Sequence, residues 1–303
     1  MFQPRARKIF STCVATVATT FRCWAVSRLC CGAVSRPPHC WAAIMLALTA
    51  PPIAAADEPT LPAKADSASA DSREAIDRVA GQYQLFLGTD RTRLEMQKEP
   101  VLRWPNASRQ TPNGATFVWT HQGRPEAIAC IWDHGGLSHA FHSLSTSELV
   151  AKHNGQTIWH PAAAGIQPAA FAGAPEPADS PAKRLRQMKD LARRFTSRLT
   201  GDGGGEELRL LPRPLYRYQT KRDDLIDGAL FAFVQGTDPE VVLVLEATRH
   251  NGKSEWRYAL TRRSMAALEA DLDGKPIWSV SANGGAPGDV WFHGGIVAAS
   301  SGQ

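Results

Sequence analysis

The feature that most limits what this chain can fold into is a 27-residue stretch that occurs twice. Residues 100–126 align with residues 214–240 without a gap at an offset of 114, and seven of the 27 positions are identical. Self-similarity at a fixed offset indicates structural repetition. Each copy contains an apolar run and a turn with glycine and proline, and a second apolar run follows directly, which is typical of a β-hairpin. The repeat therefore predicts a tandem duplication.

Helical patterns precede both copies and complete the predicted architecture. Residues 72–87 and 181–199 each place apolar side chains at a 3.6-residue period behind a serine that can cap a helix. Shorter helices are predicted around 146–152 and 265–272, and strands fill most of the remainder. Helices grouped before runs of strands indicate an α+β fold. We therefore expect two tandem related halves, each a helix packed on an antiparallel meander sheet.

The composition along the chain divides it into successive segments. Low-complexity stretches rich in alanine, serine and proline cannot offset their ordering entropy by burying apolar surface, so they are predicted to link the folded parts. The predicted segments are a signal peptide (1–56), a flexible linker (57–71), a first α+β half (72–160), a Pro/Ala-rich connector (161–180), a second α+β half (181–293) and a tail (294–303).

The first segment has the composition of an export signal. Residues 1–56 contain six basic and no acidic residues, then an apolar run at 41–48, then small residues at Ala54–Ala56. This order is typical of a secretory signal with cleavage after Ala56, and the apolar run is too short to anchor the chain in a bilayer. The sequence therefore predicts a periplasmic or secreted protein with no transmembrane anchor after cleavage.

Removal of that segment changes the charge and the cysteine content of the chain. Of 34 basic and 29 acidic residues, 28 and 29 would remain, so the net charge of +5 falls to about −1. A nucleic-acid partner is therefore not expected. Five of the six cysteines would be lost, leaving Cys130 alone without an internal disulfide. Because Cys130 lies in an apolar run, it is interpreted as inert packing.

Metal and cofactor sites are not predicted. The spacing His134-x4-His139-x2-His142 invites a metal interpretation, but His139 and His142 would point to opposite faces of a strand. No Cys-x-x-Cys or His-Glu-x-x-His motif is present to supply converging ligands. The chain also has no Gly-x-Ser-x-Gly motif, and its glycine runs at 203–205 and 284–285 lack the Lys-Ser/Thr of a phosphate loop.

Positions at which the two copies differ are the candidates for a functional role. His121 aligns with Gln235, and Arg124 aligns with Asp238. Two hypotheses use such positions in the first copy. The enzyme hypothesis is a hydrolase with a histidine/glutamate cleft, and the binding hypothesis is a cleft lined by aromatic and basic side chains. The candidate catalytic residues are His121, Glu126 and His142, and the candidate binding residues are Trp119, Arg124 and Trp132.

The predicted helix 181–199 is strongly basic. Its candidate binding face for an anionic partner comprises Arg184, Lys189, Arg193 and Arg194. Clustered cations can bind an acidic polymer or a lipid headgroup. A solvated helix face is the interpretation that we favour, because the rest of the mature chain would be slightly acidic.

Three segments resemble a family of planctomycete-type exported proteins of unknown function: Pro214–Tyr218, Asp227–Glu240 and Gly123–Cys130. The resemblance covers most of residues 73–280. It implies export and a bipartite α+β body, and it transfers no catalytic residue. Together with the patterns above, it leads us to expect a non-catalytic binding or scaffolding module of the cell envelope with an unknown envelope partner. The alternative is an envelope hydrolase.

Overall fold

The computed structural model describes residues 63–201, 205–220, 224–250 and 252–296. All of these residues belong to one compact unit of the chain. The predicted signal peptide, its cleavage site and the last residues of the predicted tail lie outside the described residues.

The described part of the chain contains two α-helices and nineteen strands. The helices are α1 (Ala63–Gln82) and α2 (Pro181–Ala192). The strands before residue 160 are β1 (Tyr83–Leu87), β2 (Thr92–Arg93), β3 (Glu95–Met96), β4 (Leu102–Asn106), β5 (Thr111–His121), β6 (Arg124–Asp133), β7 (Leu137–Ser143), β8 (Leu149–His153) and β9 (Gln156–Trp159). The later strands are β10 (Ala169–Ala170), β11 (Phe195–Thr200), β12 (Glu206–Leu210), β13 (Tyr216–Tyr218), β14 (Leu225–Gln235), β15 (Asp238–His250), β16 (Lys253–Arg262), β17 (Ala267–Leu272), β18 (Lys275–Val280) and β19 (Trp291–Gly295).

These strands form three antiparallel sheets. A four-stranded sheet has the order β2-β1-β8-β9, and a six-stranded sheet has the order β19-β7-β6-β5-β3 with β4 also paired to β5. The nine-stranded sheet has the order β10-β16-β15-β14-β12-β11-β17-β18 with β13 paired to β14. The last strand, β19, pairs with β7, so the end of the chain completes a sheet that the first part of the chain begins.

The two repeated segments form the central hairpins of the two large sheets. β5 pairs with β6 and β14 pairs with β15, and the turns between them use left-handed backbone at Gly123 (φ +88°) and Gly236 (φ +61°). Glycine adopts this conformation without a steric penalty from a Cβ atom. Both hairpins are buried along almost their whole length, as their continuous apolar runs predict.

Three apolar clusters form the core, and strand alternation distributes the side chains among them. Phe117 and Trp119 point into a first cluster with α1, while Val118 points to the opposite face. Phe231 lies in a second cluster with α2. The third cluster lies between the six-stranded and nine-stranded sheets and includes Val118, Ile128, Leu144, Leu230, Val242 and Val244. The large sheets are therefore held face to face by apolar side chains.

The predicted fold class is wrong. The structure is mostly β, a curled antiparallel half-barrel, and not an α+β arrangement of tandem halves with a helix on each sheet. The pairing of β19 with β7 and the third cluster join the early and late parts of the chain into one unit. The duplication inferred from the sequence repeat stays a prediction.

The error came from four segments whose helical period was misleading. Residues 146–152 and 265–272 lie largely in strands β8 and β17, and the helices predicted to reach 87 and 199 end at Gln82 and Ala192. In β11 the buried residues are Phe195 and Ser197, which have the two-residue spacing of a strand, and Ser197 is polar. The Ser197 hydroxyl donates to the Glu269 carbonyl at 2.8 Å, so it can occupy an inward position that a hydrophobicity pattern does not recognise.

The first helix also differs from the prediction at its start. α1 begins at Ala63, within the segment 57–71 that was predicted to be a flexible linker. Neither helix in the described part of the chain has the length and apolar character that crossing a membrane requires.

Candidate functional site

A cavity of about 440 Å³ opens where β4, β6 and β19 meet β15 and the segment after β16. We call it the aromatic cleft. Its aromatic lining residues are Trp104, Trp132, Trp291 and His293, and its charged ones are Arg109, Asp238 and Arg263. Its volume lies within the range of roughly 300–1,000 Å³ that small-molecule sites occupy.

Strand register assembles the aromatic wall. In the six-stranded sheet, Trp104 and Trp132 both lie opposite Gly114 on neighbouring strands. Because Gly114 has no Cβ atom, the Trp104 indole lies directly against its backbone, 2.5 Å from where a Cβ would be. The Trp104 and Trp132 rings are 6.4 Å apart, and Trp132 stacks on His293 at 5.3 Å with an interplanar angle of 24°. The result is a continuous aromatic surface.

A short 3-10 turn (Ala107–Arg109) brings a cation to the opposite wall. Asn106 caps this turn by accepting from the Arg109 backbone N–H at 3.1 Å, and its side-chain amide donates to Asp238 Oδ2 at 2.9 Å. The Arg109 guanidinium donates to Asp238 at 3.1 Å and pairs with Glu240 Oε1 at 2.7 Å. Arg109 is therefore shared by two carboxylates of β15.

Asp238 is a carboxyl group with a strongly perturbed affinity for protons. Burial, and then the negative charge of Glu240, raise the pKa of Asp238 to about 7, although Asn106, Arg109 and Arg263 act in the opposite direction. Asp238 and Glu240 are two residues apart on one strand, so their side chains share a face. Near neutral pH the cleft therefore holds one carboxyl group that can be either a donor or an acceptor.

Arg263 is a buried cation without a carboxylate partner among the described residues. It is 4% exposed, and its guanidinium donates only to the carbonyls of Ile128 (3.3 Å) and Ala140 (3.1 Å). Its Nε atom is buried and has no hydrogen-bond partner in the described part of the chain. Buried polar groups are normally satisfied, so an unpaired donor on a cavity wall requires an explanation.

The predicted binding residues lie in three different places. Trp132 lines the aromatic cleft. Trp119 is buried in the first cluster, with its ring edge against Tyr83 at 6.5 Å. Arg124 is buried between Glu126 at 3.0 Å and Glu246 at 2.8 Å, where it holds the two large sheets together. Only one of the three is thus in a position to contact a ligand in this cleft.

The predicted catalytic residues have separate environments. His121 ends β5, half-buried and opposite Arg124. Glu126 is ion-paired with Arg124. His142 is buried, its Nδ1 lies 2.8 Å from the Ser143 carbonyl, and it lines a different cavity of about 490 Å³.

The burial of His142 predicts acid sensitivity. Desolvation lowers the pKa of His142 to about 3, whereas an unfolded histidine titrates near 6.5. Below about pH 6.5 the unfolded chain binds a proton that the folded protein does not, so stability is lost as the pH falls toward 3. The loss approaches about 1.4 kcal/mol per pH unit. His142→Gln should weaken the pH dependence of urea unfolding between pH 7.5 and 5. Equal slopes for His142→Gln and the wild type would contradict this prediction.

The predicted basic face belongs to helix α2 and its C-terminal end, and most of its cations pair with carboxylates. Arg184 is buried against Asp227 at 2.9 Å. Arg193 pairs with Asp190 at 2.6 Å, and Arg194 pairs with Asp273 while lying over the Phe171 ring. Lys189 is half-buried in the last turn of α2. The intramolecular pairs reduce the charge that this face offers to a partner.

Among the described residues, no group of three or more histidine, cysteine or acidic side chains is placed to hold a metal ion. Cys130 is a buried free thiol whose sulfur lies 3.3 Å from the Thr116 hydroxyl.

Sequence reasoning missed most of the aromatic cleft. Its lining residues come from segments more than 100 positions apart, and only Trp132 was a candidate. The sequence did contain one indication of this site. Asp238 aligns with Arg124 in the repeat, and it is therefore a position at which the two copies differ. No family model, curated protein or solved structure matches this chain, so its function is inferred from the geometry alone.

Proposed function

We propose that this protein is an exported, non-catalytic binding protein of the cell envelope that holds a small, flat and largely apolar ligand in the aromatic cleft. The observation that carries the proposal is the combination of an aromatic surface and a few buried polar groups around one cavity of about 440 Å³. Ligand sites are typically concave and mostly apolar, with a small number of polar groups that orient the ligand.

The rim of the cleft supports ligand entry. Met265 lines the cavity and is 49% exposed, the more exposed of the two large hydrophobic side chains that are exposed in the described part of the chain. Methionine is unbranched and polarizable, so it adapts to ligands of different shape. An apolar side chain left exposed beside an aromatic cavity favours an apolar occupant.

The corresponding place in the nine-stranded sheet has a polar residue where the aromatic cleft has a second indole ring. There Tyr218 lies over Gly228, as Trp104 lies over Gly114, but Glu246 occupies the position of Trp132. Tyr218 Oη donates to Glu246 at 2.8 Å. One hairpin therefore uses polar groups that satisfy one another, and the other presents aromatic rings to a cavity.

The alternative, an envelope hydrolase that uses His121, Glu126 and His142, has less support. Glu126 is engaged by Arg124, and His142 lies on the wall of another cavity. A general base must come within hydrogen-bond distance of the reacting group. A binding function therefore fits the geometry better than a histidine/glutamate active site.

Binding of a neutral fluorescent probe tests the proposed function. N-phenyl-1-naphthylamine should bind the wild-type protein with one site and quench tryptophan fluorescence. Trp132→Ala should weaken binding by tenfold or more, because the Trp132 ring, which is held in place by stacking on His293, would no longer contact the probe. Trp278→Ala is the matched control, since Trp278 is also half-buried but packs against the second cluster. Absence of probe binding, or an equal loss in both variants, would refute the proposal.

A further inference from the structure

We infer that the ligand of the aromatic cleft is an aromatic monoanion, with its ring on the aromatic wall and a carboxylate against Arg263. This inference rests on the proposed function and adds the chemical class of the ligand. It starts from the charge of the cleft walls and not from their apolar surface.

The two cations of the cleft differ in their partners. Arg109 is engaged by Asp238 and Glu240, whereas Arg263 has only backbone carbonyls as partners among the described residues. A buried charge is costly unless it is paired, and removal of its partner is strongly destabilising. An anionic ligand would supply the partner that the described part of the chain does not provide.

The guanidinium of Arg263 is held in place before any ligand binds. Its backbone N–H donates to the Glu240 carbonyl at 2.7 Å, and its guanidinium carbon lies 5.7 Å from the Trp291 ring centroid. The Arg262 guanidinium carbon is 5.6 Å from the same ring. Cation–π contacts of this kind are stronger where water is excluded. A rigid donor binds an anion with little loss of side-chain entropy.

The charges of the cleft suit a monoanion better than a dianion. Arg263 uses two of its five N–H donors on backbone carbonyls and leaves Nε without a partner, and a protonated Asp238 could offer its hydroxyl as a further donor. A planar carboxylate can accept from both groups. A dianion such as a phosphate monoester would add a second negative charge near Glu240, which is fully buried. The aromatic wall and the buried charge of Glu240 therefore point to an aromatic carboxylate.

The protonation of Asp238 should make this binding depend on pH. The groups that face Asp238 are Glu240, Arg109, Asn106 and Arg263. On the same cavity wall, burial lowers the pKa of His293, so this histidine is neutral near pH 7, and His134 lies exposed at the rim. Below about pH 7 a neutral Asp238 can donate to the ligand carboxylate, and above it an ionised Asp238 repels it. Affinity for an anion should therefore fall as the pH rises from 6 to 8.

Three probes of equal size and different charge test the inference. Calorimetric titration of the protein would compare 2-naphthoate, 2-naphthalenemethanol and 2-naphthylmethylammonium at pH 6 and pH 8. At pH 6 the carboxylate should bind at least tenfold more tightly than the alcohol, and the cation should bind most weakly. At pH 8 the advantage of the carboxylate over the alcohol should shrink by threefold or more.

Two variants identify the responsible side chains. Arg263→Gln should abolish the preference for the carboxylate over the alcohol. Arg263→Gln also removes two hydrogen bonds to backbone carbonyls, which could disturb the fold. Asp238→Asn provides a second test that leaves these two hydrogen bonds in place. Asp238→Asn has no ionisable group at this position, so it should bind 2-naphthoate equally well at both pH values.

The possible outcomes separate this inference from the proposed function. Equal affinity for the alcohol and the carboxylate would refute the anionic ligand and leave the aromatic cleft as a site for neutral compounds. Tighter binding of 2-naphthyl phosphate than of 2-naphthoate would replace the monoanion by a dianion. Failure of every probe to bind would refute the proposed function itself. A pH dependence that persists in Asp238→Asn would exclude Asp238 as the group that titrates.

Discussion

Replacement of Arg124 by leucine is expected to lower the free energy of unfolding by about 3–5 kcal/mol. The side chain of Arg124 is 8% exposed, and it pairs with Glu126 at 3.0 Å and Glu246 at 2.8 Å. It also donates to the Leu144 carbonyl at 3.1 Å. Without the guanidinium, Glu246 would remain buried without its cation, and Glu126 would lose its ion pair with Arg124. A domain of this size has a total stability of only about 5–15 kcal/mol, so the loss should be large in urea denaturation.

A surface ion pair provides the control for this prediction. Arg193 pairs with Asp190 at a similar distance, but both side chains are more than 60% exposed. Water and salt screen such a pair, and its net contribution to stability is small. Arg193→Leu should therefore leave the midpoint of urea unfolding almost unchanged. If Arg124→Leu were no more destabilising than Arg193→Leu, the ion pairs of Arg124 would not hold the two sheets together.

Addition of one methyl group at Gly228 should be nearly as damaging. A Cβ atom at this position would overlap the Tyr218 ring and lie 2.5 Å from its Cζ atom. The ring cannot move freely, because it is buried and Tyr218 Oη donates to Glu246 at 2.8 Å. Overpacking costs about 1–3 kcal/mol, and loss of a buried hydrogen bond costs about 1–3 kcal/mol more. Gly228→Ala should therefore lower the unfolding free energy by roughly 2–6 kcal/mol.

The same substitution in helix α1 should have the opposite effect. A Cβ atom at Gly81 would have no heavy atom within 4 Å, and its backbone has no positive φ angle. Alanine at such a helical position is favoured over glycine by about 0.5–1 kcal/mol. Thermal unfolding should therefore rank Gly81→Ala at or above the wild type and Gly228→Ala well below it. A Gly228→Ala protein as stable as the wild type would show that the Tyr218 ring can move at little cost.

Both central hairpins could be located from the sequence because their signals are local. The apolar runs at 229–234 and 241–245 and the turn residues between them are determined by a few neighbouring positions, and the structure has strands β14 and β15 there. The helix boundaries were less predictable. Residues 195–199 have apolar side chains at both helical and strand spacing, and the pairing of β11 with β12 and β17 selects the strand. That pairing involves a segment about 70 residues further along the chain.

The candidate site likewise has one residue that local sequence indicates and others that only long-range packing places there. Trp132 could be selected because it lies near a divergent position of the repeat, but Arg109 and Arg263 have no local feature that marks them as functional. Arg109 is one of many basic residues in the sequence until the 3-10 turn directs it toward Asp238 and Glu240. Which cation finds a carboxylate, and which remains unpaired, depends on the packing of two sheets.

The sequence by itself determined the hairpins, their turns and the two-faced burial of their strands, because backbone conformation and side-chain alternation depend on adjacent residues. Only the tertiary structure decided that the chain is mostly β, that β19 returns to pair with β7, and that aromatic rings and Arg263 line the same cavity. These features depend on contacts between residues far apart in the sequence. Such contacts form when apolar faces and charges from distant segments are buried together, and no local pattern specifies their partners.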